Sequence, residues 1–179
     1  MLTETQIKKL NDKFKSLSKA EQRVIIARDV IAQVIGKKYK PSTGSYLTLV
    51  NTFYNHWSVQ EHIDEIECVC CALGACLIST TKFKNKLKFH DVDALCSNSD
   101  SWKLLRGIFS PKQMNMIEYA FEVSHNGSRV GEDSFGEYNK HDYDERVKCV
   151  DFGRSFDYES DRLIAIMKNI IKNKGTFKP

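Results

Sequence analysis

Cys68-Val69-Cys70-Cys71-Ala72-Leu73-Gly74-Ala75-Cys76-Leu77-Ile78 is the stretch whose reading decides the fold. It is the longest uncharged apolar run in the chain and carries four of the six cysteines. On a wheel of about 100° per residue, Cys68, Cys71, Ala72, Ala75, Cys76 and Ser79 share one face. All six are small, while Leu73, Leu77 and Ile78 fall on other faces. A helix that is apolar nearly all round is buried, and a face of small side chains lets a neighbour approach closely. The spacing therefore predicts a central apolar helix over about 68–80, with the other segments packed on it. From Val69 to Ile78 the run is only about half of the roughly 20 residues that span a bilayer, so no membrane partner is expected.

Working outward, helix signals flank this run on both sides. Thr3 with Gln6, Ser18 with Glu21 and Ser58 with Glu61 read as capping boxes. Ile7, Leu10, Phe14 and Leu17 recur at helical spacing in the first helix. The second runs from Lys19 to about Ile35, with Gly36 as its stop, and forms a tight hairpin with the first. A polar helix from Ser58 is expected to lead into the cysteine segment. Ser110-Pro111 with Gln113 combines an N-cap, a proline at the first helical position and a box. The last helix starts near Tyr158, carries Leu163, Ile166, Met167 and Ile170, and stops at Gly175. Short strands are expected near 46–50 and 82–89, and residues 138–156 suit either a helical turn or a strand.

The fold expected is mainly α: a compact bundle of five or six helices in one domain, residues 1–179, with a mobile acidic loop at about 125–145. At this length a chain buries roughly 70% of its unfolded surface, enough for a core without staples. With 41% hydrophobic and 28% charged residues, and nine Gly and three Pro, extensive disorder is not expected. The first 20 residues lack the apolar run of a secretory signal. Cysteines crowded on one helix cannot staple distant parts of a fold, so the expected setting is reducing and cytoplasmic, with free thiols.

Charge is unevenly placed. Ten acidic and four basic residues between Glu132 and Asp161 give a net −6; the whole chain carries +4, so the remainder carries +10. Two basic segments stand out, Lys37-Lys38-Tyr39-Lys40 and the alternating Lys82, Lys84, Lys86 and Lys88. Interleaved with Tyr39, Phe83 and Phe89, these lysines suit phosphate contacts and base stacking. They equally suit protection of an exposed strand edge. The acidic loop offers Glu132, Asp133, Glu137, Asp142, Asp144 and Glu145 as a surface of opposite sign.

Four pieces of the chain carry a resemblance. They are Ala27-Arg28-Asp29-Val30-Ile31-Ala32-Gln33, Cys70-Cys71-Ala72-Leu73-Gly74-Ala75-Cys76, Ile108-Phe109-Ser110-Pro111 with Ile117-Glu118, and Ile166-Met167-Lys168-Asn169-Ile170-Ile171 followed by Gly175. Together they resemble a group of uncharacterised small proteins found in tailed-phage genomes. The shared motifs are helix faces and stops, and the resemblance brings no catalytic residues. What it implies is expression in a bacterial host and action by binding a host component, defence machinery included.

Other constellations are weaker. Cys68-x-x-Cys71 has the spacing of half a zinc site, and Cys76 adds a thiol, but the usual second pair is missing and only His62, Cys96 and Cys149 could supply it. Buried cysteine as a small hydrophobe explains the same residues, so no metal is assigned. Ser42-Thr43-Gly44-Ser45 lacks the Gly-Lys-Ser/Thr ending of a phosphate loop and reads as a turn. His141, Asp142, Asp144 and Glu145 lack calcium-loop spacing. No cofactor and no catalytic residue are assigned.

The leading expectation is a non-enzymatic accessory protein that binds and inhibits a host protein or complex. Replacing the four lysines from Lys82 to Lys88 with serine is expected to abolish binding without lowering stability. The alternatives are a nucleic-acid-binding accessory protein, and an enzyme or small-nucleotide binder whose site the sequence does not display. A homo-oligomer is compatible with each.

Overall fold

The computed structural model describes residues 3–50, 66–84, 100–123 and 140–179, with side chains from 143 onward in the last segment. The chain is mainly helical, with a small three-stranded sheet. Helix α1 spans Glu4–Lys15 and α2 spans Lys19–Ile35. Both expected capping boxes form: Thr3 and Gln6 cap α1, and Ser18 and Glu21 cap α2. Each box gives partners to backbone N–H groups that a helix start leaves unpaired. The two helices do not pack along each other as the expected hairpin; each lies instead on the cysteine-bearing helix. At their junction the buried Gln22 Nε2 donates to the Phe14 and Leu17 carbonyls (2.9 and 3.2 Å), pairing acceptors that the end of α1 leaves open.

Gly36 ends α2 with an ordinary φ of −72°, and the left-handed residue is Lys37, at φ 59°. The Lys37 and Lys38 N–H groups return to the Val34 and Gln33 carbonyls, which closes a Schellman turn. The chain then enters strand β1, Tyr39–Pro41, turns, and continues as β2, Leu47–Leu49. These strands do not pair with each other. Strand β3, Cys68–Cys70, lies between them, parallel to β1 and antiparallel to β2.

That strand corrects the reading of the cysteine run. Cys68-Val69-Cys70 is extended, with both cysteines buried and Val69 half-buried, and helix α3 begins only at Ala72 and ends at Lys84. Cys68 therefore leaves the helical face assigned to it. Ile66 and Glu67 are irregular, so no polar helix runs directly into this segment; the expected start at Ser58 lies outside the described residues. A three-residue strand inside an apolar run has no period that sets it apart from buried helix. Residues 72–81 of α3 are all buried, and the helix lies against α1, α2 and the two helices that follow it. Gly74 is required at its start, because a Cβ there would collide with the Tyr46 carbonyl oxygen.

The remaining helices are α4, Asp100–Arg106; α5, Pro111–Phe121; α6, Lys140–Arg154; and α7, Glu159–Lys172. That makes seven helices among the described residues, against five or six expected. The additional one is α6, which packs on α5. It turns residues 140–145 of the expected acidic loop into helix. Cys149 is buried, the Arg146 guanidinium lies over the Tyr119 ring at 5.1 Å, and Lys112 pairs with Glu145 at 2.7 Å.

Ser110 caps α5 as expected, with Pro111 at its first position. The Gln113 side chain instead serves the C-terminal segment: its Oε1 accepts from the Phe177 N–H at 2.7 Å, and its Nε2 donates to the Phe177 carbonyl at 3.3 Å. Helix α7 packs along α2, and the turn beyond its cap Asn173 holds a second left-handed lysine, Lys174, followed by Gly175 at φ 92°. The expected strand over 82–89 is not seen where the chain is described: Lys82, Phe83 and Lys84 form the last turn of α3. Residues 85–89 lie outside the described residues.

Candidate functional site

The predicted lysines do not stay together. Lys82 Nζ lies 2.8 Å from Asp29 Oδ1, with side-chain exposures of 20% and 10%, so this ammonium is tied to α2 rather than offered along a basic edge. Lys84, two residues on, takes another direction. Its Nζ reaches the end of α4, where a Cβ on Gly107 would sit 3.0 Å away. Lys86 and Lys88 lie outside the described residues. Lys37 and Lys40 are exposed and Lys38 is half-buried. They sit at the far end of α2 from Lys19, roughly 24 Å along a 17-residue helix.

What surrounds Lys84 is a group of cations that sequence order conceals. Lys15 ends α1, Lys19 opens α2, and both are exposed. Partial burial first, and then the charges of Lys19 and Lys15, lower the Lys84 ammonium below the usual lysine range. Phe14 stacks on Phe83 with centroids 5.3 Å apart and planes at 14°, which holds the C-terminal ends of α1 and α3 together. Arg106, next to Gly107, is exposed. Among the described residues no carboxylate pairs with Lys84. The nearest acid along α2, Glu21, is engaged by the Ser18 N–H and Oγ at 2.8 and 2.6 Å. The only sequence signal for this cluster was lysine in the last turn of two helices and the first position of a third, which says nothing about their meeting.

The acidic residues divide likewise. Glu132, Asp133 and Glu137 lie outside the described residues, and Asp142 falls within α6. Asp144 is exposed on that helix, and Glu145 is held by Lys112.

A second cluster, missed in the sequence, lies where β3 turns into α3. The β1–β2 loop passes over this turn: the Ser42 N–H donates to the Cys70 carbonyl at 3.0 Å, and the Cys71 N–H donates to the Tyr46 carbonyl at 3.1 Å. Two carboxylates clasp the loop from outside. Glu122 Oε2 accepts from the Gly44 N–H at 2.8 Å. Glu159 Oε1 accepts from the Thr43 N–H and Oγ at 2.7 and 2.6 Å. Ser42-Thr43-Gly44-Ser45 is thus a turn whose N–H groups hold the chain's own carboxylates.

Cys71 stands just before the start of α3, where the Gly74 and Leu73 N–H groups act to lower its pKa. That position favours a thiolate. Burial outweighs it and, with the Glu122 and Glu118 carboxylates, pushes the thiol up to about 12, so it is protonated at neutral pH. Burial and the neighbouring Glu122 push the Glu118 carboxyl up to about 7. The Tyr46 hydroxyl is buried without a hydrogen-bond partner and is raised by burial and then by Cys71. Cys71 and Tyr46 thus hold their protons at neutral pH, and Glu118 changes charge near it.

Cys68, Cys70, Cys71, Cys76 and Cys149 are all free and buried. The Cys68 and Cys70 sulfurs lie 3.8 Å apart. Among the described residues no three His, Cys, Asp or Glu side chains are placed to hold a metal ion, and no helix is long and apolar enough to cross a membrane. No protein-family model, curated protein or solved structure matches the chain.

Proposed function

We propose that this chain is a non-enzymatic accessory protein of the tailed-phage type, which works in the host cytoplasm by binding and inhibiting a host macromolecule. The resemblance of four helix-face and helix-stop segments supports the setting. In the same reading α3 is the packing axis of a compact helical bundle, and function lies at charged surfaces away from it.

One observation carries the binding reading: the meeting of Lys15, Lys19 and Lys84 without a carboxylate partner among the described residues. Lysines at helix C-termini ordinarily offset the negative end of the helix dipole. The ends of α1, α3 and α4 contribute only about half a charge each. Three ammonium groups and the nearby Arg106 leave an excess of positive charge, which attracts an anionic partner.

The test is affinity capture from host lysate on the immobilised chain, beside a K15E/K19E/K84E variant, with bound protein and nucleic acid both analysed. The expected result is a partner retained by the wild type and lost by the variant. Identical recovery on both would remove this face from the function.

A further inference from the structure

We infer that the partner of the Lys15, Lys19 and Lys84 face is a nucleic acid, held through its phosphate backbone. This rests on the binding reading above and specifies its partner. The geometry is built rather than incidental. Phe14 and Phe83 stack, and each is followed by a lysine, so Lys15 and Lys84 succeed two residues that the stack brings together. Lys84 spans to Gly107, whose missing side chain leaves room for the ammonium. Lys19 enters from the start of α2, and its hydrogen bond among the described residues is to the neutral Gln22, at 3.5 Å. Arg106 extends the basic surface along α4, with its guanidinium over the Trp102 ring at 6.0 Å.

An acidic protein surface is the competing partner, and among the described residues the distribution of apolar groups speaks against it. Tight protein interfaces are anchored by large apolar or aromatic side chains that become buried on binding. Among the described residues the exposed large hydrophobic side chains are Ile35, Val50, Tyr143, Val147 and Tyr158. None lies on α1, the start of α2, the end of α3 or α4. Phosphate contacts need no such anchor: they position a nucleic acid by charge, and a lysine ammonium serves as a flexible point charge for them. The expected binding is therefore insensitive to sequence and steep in salt. Three phosphate contacts give a slope of log K against log salt of about −3 for duplex and about −2 for single strands.

Fluorescence anisotropy with labelled DNA and RNA of about 20 nucleotides, single-stranded and duplex, between about 25 and 200 mM salt, tests this. The wild type should bind with those slopes. Lys84→Gln should flatten the slope by about 1, and K15Q/K19Q/K84Q should weaken binding at least about tenfold at low salt. The control K37Q/K40Q, at the other end of α2, should leave both unchanged. Thermal melts of each variant show whether the fold is intact. No binding at the lowest salt, or binding untouched in a folded triple variant, overturns the inference. If the lysine variants lose a captured protein but never bound nucleic acid, the nucleic-acid partner falls and the binding reading stands. If neither depends on these lysines, both fall.

Discussion

The Lys82 ammonium and the Asp29 carboxylate meet at 2.8 Å, joining the last turn of α3 to the middle of α2. Asp29 Oδ1 also accepts from Gln33 Nε2 at 3.3 Å, while Oδ2 is buried without a partner. Lys82 therefore compensates a carboxylate that is already incompletely satisfied. Lys82→Met should cost on the order of 3 kcal/mol in urea unfolding, because it leaves that charge unpaired. Lys84→Met should cost nothing measurable, or stabilise, since its ammonium sits among like charges. Serine replacement along this segment is therefore not neutral for stability, because Lys82 is included. Equal losses for the two variants would contradict this division of roles.

Glu118 makes stability depend on pH in a defined direction. Its folded value of about 7 lies above its ordinary 4.5, so between these values the folded chain binds more protons than the unfolded one. Stability from this group is full below about 4.5 and is lost as pH rises through about 7, by up to roughly 3 kcal/mol. Glu118→Gln cannot ionise. Denaturant unfolding at pH 5 and pH 8 should show a smaller difference for the variant, which becomes the more stable of the two at pH 8. An unchanged difference would mean that Glu118 is ordinarily hydrated.

Lys37 carries a left-handed backbone at φ 59°. A side chain in that conformation costs about 1 kcal/mol that glycine does not. Lys37→Gly should accordingly raise the unfolding free energy by up to about 1 kcal/mol, less the entropy glycine adds to the unfolded chain. Binding through the Lys15, Lys19 and Lys84 face should be unaffected. Destabilisation, read from the thermal midpoint, would show that the Lys37 side chain does something the Schellman turn does not require.

Much of the helical structure was legible because its causes are local. Thr3, Ser18 and Ser110 bind N–H groups three residues on, so their caps can be read from spacing. The apolar spacing of α2, α5 and α7 follows from a period of 3.6 residues. The extended segment near 46–50 was likewise marked by alternation and appears as β2. The stop of α2 at Gly36 was legible too, and only the left-handed residue that follows it, Lys37, was not, because glycine preference reports what is permitted and not which residue turns.

The candidate sites were not legible, because their causes are contacts between distant segments. The cysteine run shows the boundary. Its composition alone determined that it is buried, since uncharged small and aliphatic residues have nowhere else to go. Only tertiary structure decided that Cys68-Val69-Cys70 is a strand, because the N–H and C=O partners it needs come from Tyr39–Pro41 and Leu47–Leu49. The same holds for the charges. Sequence counted the lysines; the stacking of Phe14 on Phe83 chose Lys84 to join Lys15 and Lys19, while Asp29 withdrew Lys82 into the fold.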